Sequence, residues 1–220
     1  MTNYHGSGGA RCCQFRYTLC MPENGRRSYQ LKQRARSQEA TRRRIVDATV
    51  ALHEEIGPAR TTVAEVARRA GVGRVTVYNH FPDDASLLGA CSAQFIAAHP
   101  PPDPAPWGAI RDPDVRLRTA LVARYGYFRA NEAMLANVTR DAALLPALAA
   151  VVDSPDAAAL DVAMRAVLLA GRGARGARRR RVRAALGLAL AFATWQRLAR
   201  DEGLGDEGAA DLMARAVAAA

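Results

Sequence analysis

The chain of 220 residues has a single lysine, Lys32, and no apolar run approaching the roughly 20 residues that a helix needs to cross a bilayer. Its first 20 residues lack the apolar segment of a secretory signal, so a cytoplasmic protein with no membrane role is expected. Catalytic signatures are missing too: no Ser/His/Asp motif, no HExxH, no Gly-rich phosphate loop. The expectation is a protein that is not an enzyme and carries no cofactor and no metal. Cysteine is scarce. Cys12, Cys13 and Cys20 lie in an N-terminal tail and Cys91 in an expected helix, without the paired spacing of a zinc knuckle. A metal site of His5, Cys12, Cys13 and Cys20 is weighed against free thiols in an unstructured tail, and the tail is preferred because a reducing cytosol disfavours disulfides. Met21 opens a stretch that reads like an ordinary start of translation, so residues 1–20 are expected to stem from an upstream start assignment. No repeat is evident and no strand-like alternation persists, which leaves an all-α chain.

What is present is charge and apolar mass. The net charge of +10 points to a polyanionic partner, and half of the residues are apolar, enough to bury a core. Arginine supplies nearly all the positive charge, and its planar fork suits phosphate and guanine edges. Genome composition biases chains the same way.

Residues 61–81 describe two short helices joined by a tight turn. Val63, Val66, Ala67 and Ala70 fall at i, i+3, i+4 and i+7 on one face, Thr62 and Glu65 have capping-box spacing, and Gly71 suits a helix end. Val72 plugs the space between the helices. The second helix points Val77 and Phe81 inward and leaves Arg74, Thr76, Tyr78, Asn79 and His80 outward, a set suited to the major groove of DNA.

With the preceding helix (Ile45 to Gly57), the Thr61-Thr62 start, the Ala70-Gly71-Val72 turn, the run from Thr76 to Phe81 and the Leu87-Leu88 pair, residues 45–88 resemble the DNA-binding domain of TetR-family transcriptional regulators. The resemblance implies an N-terminal three-helix helix-turn-helix domain followed by a C-terminal helical domain that dimerises and binds a small-molecule effector. It implies a repressor on a palindromic operator in double-stranded DNA, released when the effector binds. It places Tyr78 and His80 at the DNA face. Two residues depart from the family pattern. Asp84 stands where a basic residue is usual, removing one phosphate contact, and Gly73 replaces a serine, weakening the start of the recognition helix.

By side-chain chemistry, Arg74 pairs with guanine, Asn79 with adenine or phosphate, and Thr76 with phosphate, while Thr61 and Thr62 sit at a helix N-terminus suited to phosphate. Val75 completes the expected DNA-binding set.

Residues 1–38 read as a disordered basic tail, residues 39–88 as the DNA-binding domain and residues 89–220 as the C-terminal domain. From Arg26 to Arg44 there are seven arginines, Lys32 and one acid, Glu39: either a DNA-contacting arm or a solvated one. The first helix is expected over residues 41–56, with Ile45, Ala48, Thr49, Leu52 and Ile56 buried and a stop at Gly57-Pro58. A proline-rich run over 99–107 cannot be helical. Beyond it, Asp112-Pro113 and Ser154-Pro155 read as capped helix starts. Residues 171–181 read as a Gly/Arg loop, solvated or phosphate-binding. Residues 182–198 read as a helix apolar all round and buried on every side, and residues 206–220 as a last amphipathic helix. These last two helices either form a four-helix interface in a homodimer or close the monomer's own core, and the resemblance favours the dimer. Trp107, Arg124, Tyr125, Phe128, Met134, Asn137, Arg140, Met164 and Trp195 are the candidates for an effector pocket, with plain core as the alternative and with Arg124 and Arg140 suited to an anion. His53 and His99 read as surface residues.

Overall fold

The computed structural model describes residues 23–220, so the expectations for Cys12, Cys13, Cys20, His5 and the start at Met21 lie outside the described residues. All described secondary structure is helical. The helices are α1 (Glu23–Glu55), α2 (Val63–Ala70), α3 (Arg74–His80), α4 (Asp84–Ala98), α5 (Pro113–Ala130), α6 (Glu132–Asp141), α7 (Pro146–Val152), α8 (Pro155–Leu169), α9 (Gly176–Leu190), α10 (Phe192–Gln196) and α11 (Asp206–Ala219). None is long and apolar enough to cross a membrane.

The helix starts follow their caps. Thr62 accepts from the Glu65 N–H at 3.2 Å, Asp83 from Ser86 at 2.7 Å, Asp112 from Asp114 and Val115 at 2.8 and 3.1 Å, and Ser154 from Ala157 at 3.4 Å. Pro113, Pro146 and Pro155 each occupy a first helical position, where the missing N–H costs nothing. Gly71 takes the left-handed conformation (φ 65°) that ends α2.

Residues 41–220 form one compact unit with two apolar clusters. The N-terminal cluster joins Ile45, Val46, Leu52, Val66, Ala70, Val77, Phe81 and Leu87 from α1 to α4. Its largest side chains each contribute about 1.5–3 kcal/mol by leaving water. The C-terminal cluster joins Leu117, Leu121, Tyr125, Phe128, Met164, Leu168, Leu186 and Trp195, with α11 packed on α5 and α9. The Trp195 indole N–H donates to Asp206 at 2.9 Å, and Arg129 grips the same carboxylate with two bonds of 2.8 Å.

Several expectations are corrected. Helix α1 starts at Glu23, so residues 23–38 of the expected disordered tail are helical. Gln30, Leu31, Lys32, Gln33, Arg34, Ala35 and Arg36 are strong helix formers with no proline among them, and propensity acts there without an apolar face. The Gly/Arg segment is a loop only to Arg175, because its arginines from Arg178 onward continue into the apolar period of α9. The helix expected over 182–198 breaks at Ala191, where the Arg124 guanidinium donates to the Leu190 carbonyl at 2.8 Å. Nor is it buried on every side: Leu188 is 62 % exposed. Within the proline-rich run, Ala105–Ala109 forms a short 3-10 turn that buries Trp107. His53 is buried rather than superficial, covered where α1 meets α4 and α6.

Candidate nucleic-acid interface and effector cleft

Helix α3 sits on a frame fixed by its inward side chains, Val77 and Phe81, which are 1 % and 3 % exposed. Arg42 of α1 lies 4.9 Å over the Phe81 ring, and Arg69 of α2 makes a bidentate pair with Glu55 of α1 at 2.7 and 2.8 Å. The two pairs hold α1, α2 and the end of α3 in one arrangement. Glu65, the expected partner in a capping box, is engaged by Arg68 instead, so only the Thr62 half of that box forms.

The opposite side of α3 is open. Arg74, Val75, Tyr78 and Asn79 share that side at i, i+1, i+4 and i+5, and all four are exposed. Among the described residues, no side-chain hydrogen bond or ion pair engages Arg74, Tyr78, Asn79 or His80. Thr76 and His80 are half-buried at its edges. Val75 adds an apolar group, 73 % exposed, to an otherwise hydrogen-bonding set, which suits a thymine methyl. Thr62 is exposed at the start of α2, whereas Thr61 is half-buried and donates its hydroxyl to the Gly57 carbonyl at 2.9 Å. Asp84 is exposed at the first turn of α4, and Gly73 caps α3 without any side-chain bond.

The nine pocket candidates do not gather around one space. Trp107, Tyr125, Phe128, Met164 and Trp195 fill the C-terminal core, with the Tyr125 hydroxyl donating to the Ala189 carbonyl at 2.8 Å. Arg124 stacks 4.8 Å over Phe128 while bonding Leu190. Asn137 and Arg140 reach back to α1: Asn137 donates to the His53 and Glu54 carbonyls at 2.9 and 2.8 Å, and Arg140 to that of Ile56 at 3.3 Å. Asp141 accepts from the Ala59 N–H at 2.9 Å, and the Arg140 guanidinium beside it holds its carboxyl below the usual carboxylate range. These three residues of α6 thus cap the end of α1 and the turn after it.

Only Met134 lines a cleft of about 630 Å³ that opens between α1, α4, α6, α7 and α8. Its walls are Val50 and His53 of α1, Leu88, Cys91, Phe95 and Ile96 of α4, Leu135 and Val138 of α6, Leu148 of α7 and Leu160 of α8. Burial lowers the His53 pKa to about 4 against a smaller opposing pull from Asp141, and burial pushes the Cys91 thiol up to about 12. The Cys91 sulfur lies 3.8 Å from His53 Nδ1. Sequence reasoning missed these residues because each reads as an ordinary position of its own helix, surface for His53 and core for most of the others.

Residues 45–91 match the family described as "Bacterial regulatory proteins, tetR family". An uncharacterized HTH-type transcriptional regulator of Mycobacterium bovis is 44% identical over 55 residues, 25% of this chain and 29% of that protein. The HTH-type transcriptional regulator BetI of Serratia proteamaculans is 36% identical over 62 residues, 28% and 31% of the two chains. The chain therefore spans about three-tenths of the length of these curated relatives. The fold extends further. A TetR-like transcriptional regulator from Rhodococcus superposes over 80% of this chain and 93% of its own, with TM-score 0.56 and 19% identity. Residues 45–91 thus carry a helix-turn-helix domain of the tetR type, on an all-α fold similar to that of TetR-like regulators.

Proposed function

We propose that the protein is a sequence-specific transcriptional regulator, a repressor that binds a palindromic operator as a homodimer and is released by a small-molecule effector. The observation that carries this reading is the outward side of α3: Arg74, Val75, Tyr78 and Asn79 exposed on a helix whose other side is locked into the frame. Residues 39–88 act as the DNA-binding domain and residues 89–220 as the effector-binding and dimerisation domain, in the cytoplasm. The arginines along the N-terminal part of α1 add sequence-independent attraction to phosphate.

One recognition helix buries too little surface to single out a site in a genome, so two copies are needed. The exposed small and apolar positions of two packed helices support a two-fold contact: Ala184 and Leu188 on α9, Gly208, Leu212 and Ala216 on α11. The effector enters the cleft between α1, α4, α6, α7 and α8, which borders the DNA-binding domain.

Selection of genomic fragments by the purified protein, followed by footprinting, tests the reading. The expected result is an inverted repeat with half-sites about 34–36 Å apart or a multiple of that. Equal affinity for every duplex, with only a steep salt dependence, would instead make the protein an arginine-driven non-specific binder.

A further inference from the structure

The chain carries 31 lysines and arginines, yet among the described residues no lysine or arginine lines the cleft between α1, α4, α6, α7 and α8. The two arginines that the sequence offered for an anion are committed elsewhere: Arg124 to the Leu190 carbonyl and the Phe128 ring, Arg140 to Asp141 and the end of α1. The titratable lining groups are His53, Cys91, Tyr127 and Asp156. Burial keeps His53 uncharged above about pH 4, and raises both Cys91, to about 12, and Tyr127. Asp156 is exposed, so it stands at the rim rather than in the depth. Every other lining side chain is uncharged, and most are aliphatic or aromatic. A carboxylate or phosphate placed here would give up its water and gain no cation in return.

We propose that this cleft takes an uncharged, chiefly apolar small molecule, recognised by the shape of its aliphatic and aromatic walls. At about 630 Å³ it falls within the size range of small-molecule sites. The inference rests on the effector-released reading above only for its consequence on DNA. That consequence has a route. Val50 and His53 belong to the helix that carries the DNA-binding domain, and Leu135 and Val138 to the helix whose Asn137, Arg140 and Asp141 cap it. A molecule seated between them presses on both sides of that joint.

The test uses the full chain and the uncharged dye Nile red, displaced by three molecules with one twelve-carbon tail, each kept below micelle formation: dodecan-1-ol, dodecanoate and dodecyltrimethylammonium. The expected result is a blue-shifted rise in dye emission, reversed by the alcohol at a concentration about tenfold or more below that needed for either ion. Dodecanoate or the ammonium displacing as well as the alcohol would overturn the proposal, as would a dye that does not bind. Leu160→Trp fills the cleft from α8, and Ala157→Trp does so from an exposed position whose replacement leaves the core intact. Both are expected to weaken dye binding about fivefold or more. Unchanged dye binding by a folded Ala157→Trp protein places the dye elsewhere and defeats the assignment. None of these titrations contains DNA. Dye binding in the expected pattern by a protein that selects no fragment would sink the regulator reading alone, and operator selection without dye binding would sink the cleft alone.

Discussion

Two glycines near the interface behave in opposite ways. Gly57 has φ 91° and ψ 157°, a region reserved for glycine, and a Cβ there would run into the Arg140 guanidinium and the Asp141 carboxylate. Gly57→Ala is expected to destabilise by about 2–3 kcal/mol or more, read as a lower urea midpoint. Gly73 is in ordinary extended backbone, φ −78° and ψ 153°, with the nearest atom to a Cβ 3.9 Å away. Gly73→Ser restores a cap and restricts the unfolded chain, so a gain of about 0.5–1 kcal/mol is expected in the same measurement. Arg74 is exposed and without a protein partner among the described residues, so its loss leaves the fold untouched. Arg74→Ala should cost about 1–3 kcal/mol of operator binding and relax the choice of base at one position of each half-site, as measured on single-base operator variants. Three other arginines act at helix ends. Arg124, Arg116 and Arg172 donate to the last carbonyls of α9 and α8, where a cation meets the negative pole of the helix.

The joint between α1 and α6 holds a buried group that makes stability depend on pH. His53 is buried in it and stays neutral down to about pH 4, whereas in the unfolded chain it takes a proton near 6.5. Between those values the unfolded state binds the extra proton, so stability falls as the pH falls; above 6.5 it is flat. The loss between pH 7 and pH 5 should be about 2 kcal/mol, and a His53→Leu protein should show much less of it in urea titrations across that range. The helices that were readable from sequence are those with written starts, such as Thr62 before α2, Asp112-Pro113 before α5 and Ser154-Pro155 before α8. The helical part of α1 before Thr41 was not, because no apolar period marks a solvated helix. The break at Ala191 was hidden as well, since the arginine that stabilises it comes from α5. On the DNA side, sequence order sufficed because α2 and α3 are adjacent and one turn fixes their faces. The cleft draws on Val50, Phe95, Val138, Leu148 and Leu160, and no local pattern announces a space between five helices. The burial of His53 depended in the same way on Asn137, 84 residues away.

At the scale of the molecule, the proposed repression requires two chains. Leu188 is 62 % exposed in one protomer, so replacing it leaves the monomer's core alone. Leu188→Glu is therefore expected to shift the sedimenting species from two chains to one, and to weaken operator binding in proportion; a variant that remains dimeric would move the interface to another face. Trp195, fully buried and flanked by Arg129 and Arg200 at 5.7 Å each, has a different kind of consequence. The chain's two tryptophans, Trp107 and Trp195, both belong to the C-terminal cluster. Indole emission is therefore a gauge of one half only, blind to the helices that would grip a promoter. Set beside far-ultraviolet dichroism, which sums over every turn of helix, it separates the melting of the two halves without a label, and a gap between the curves would measure how loosely they are yoked.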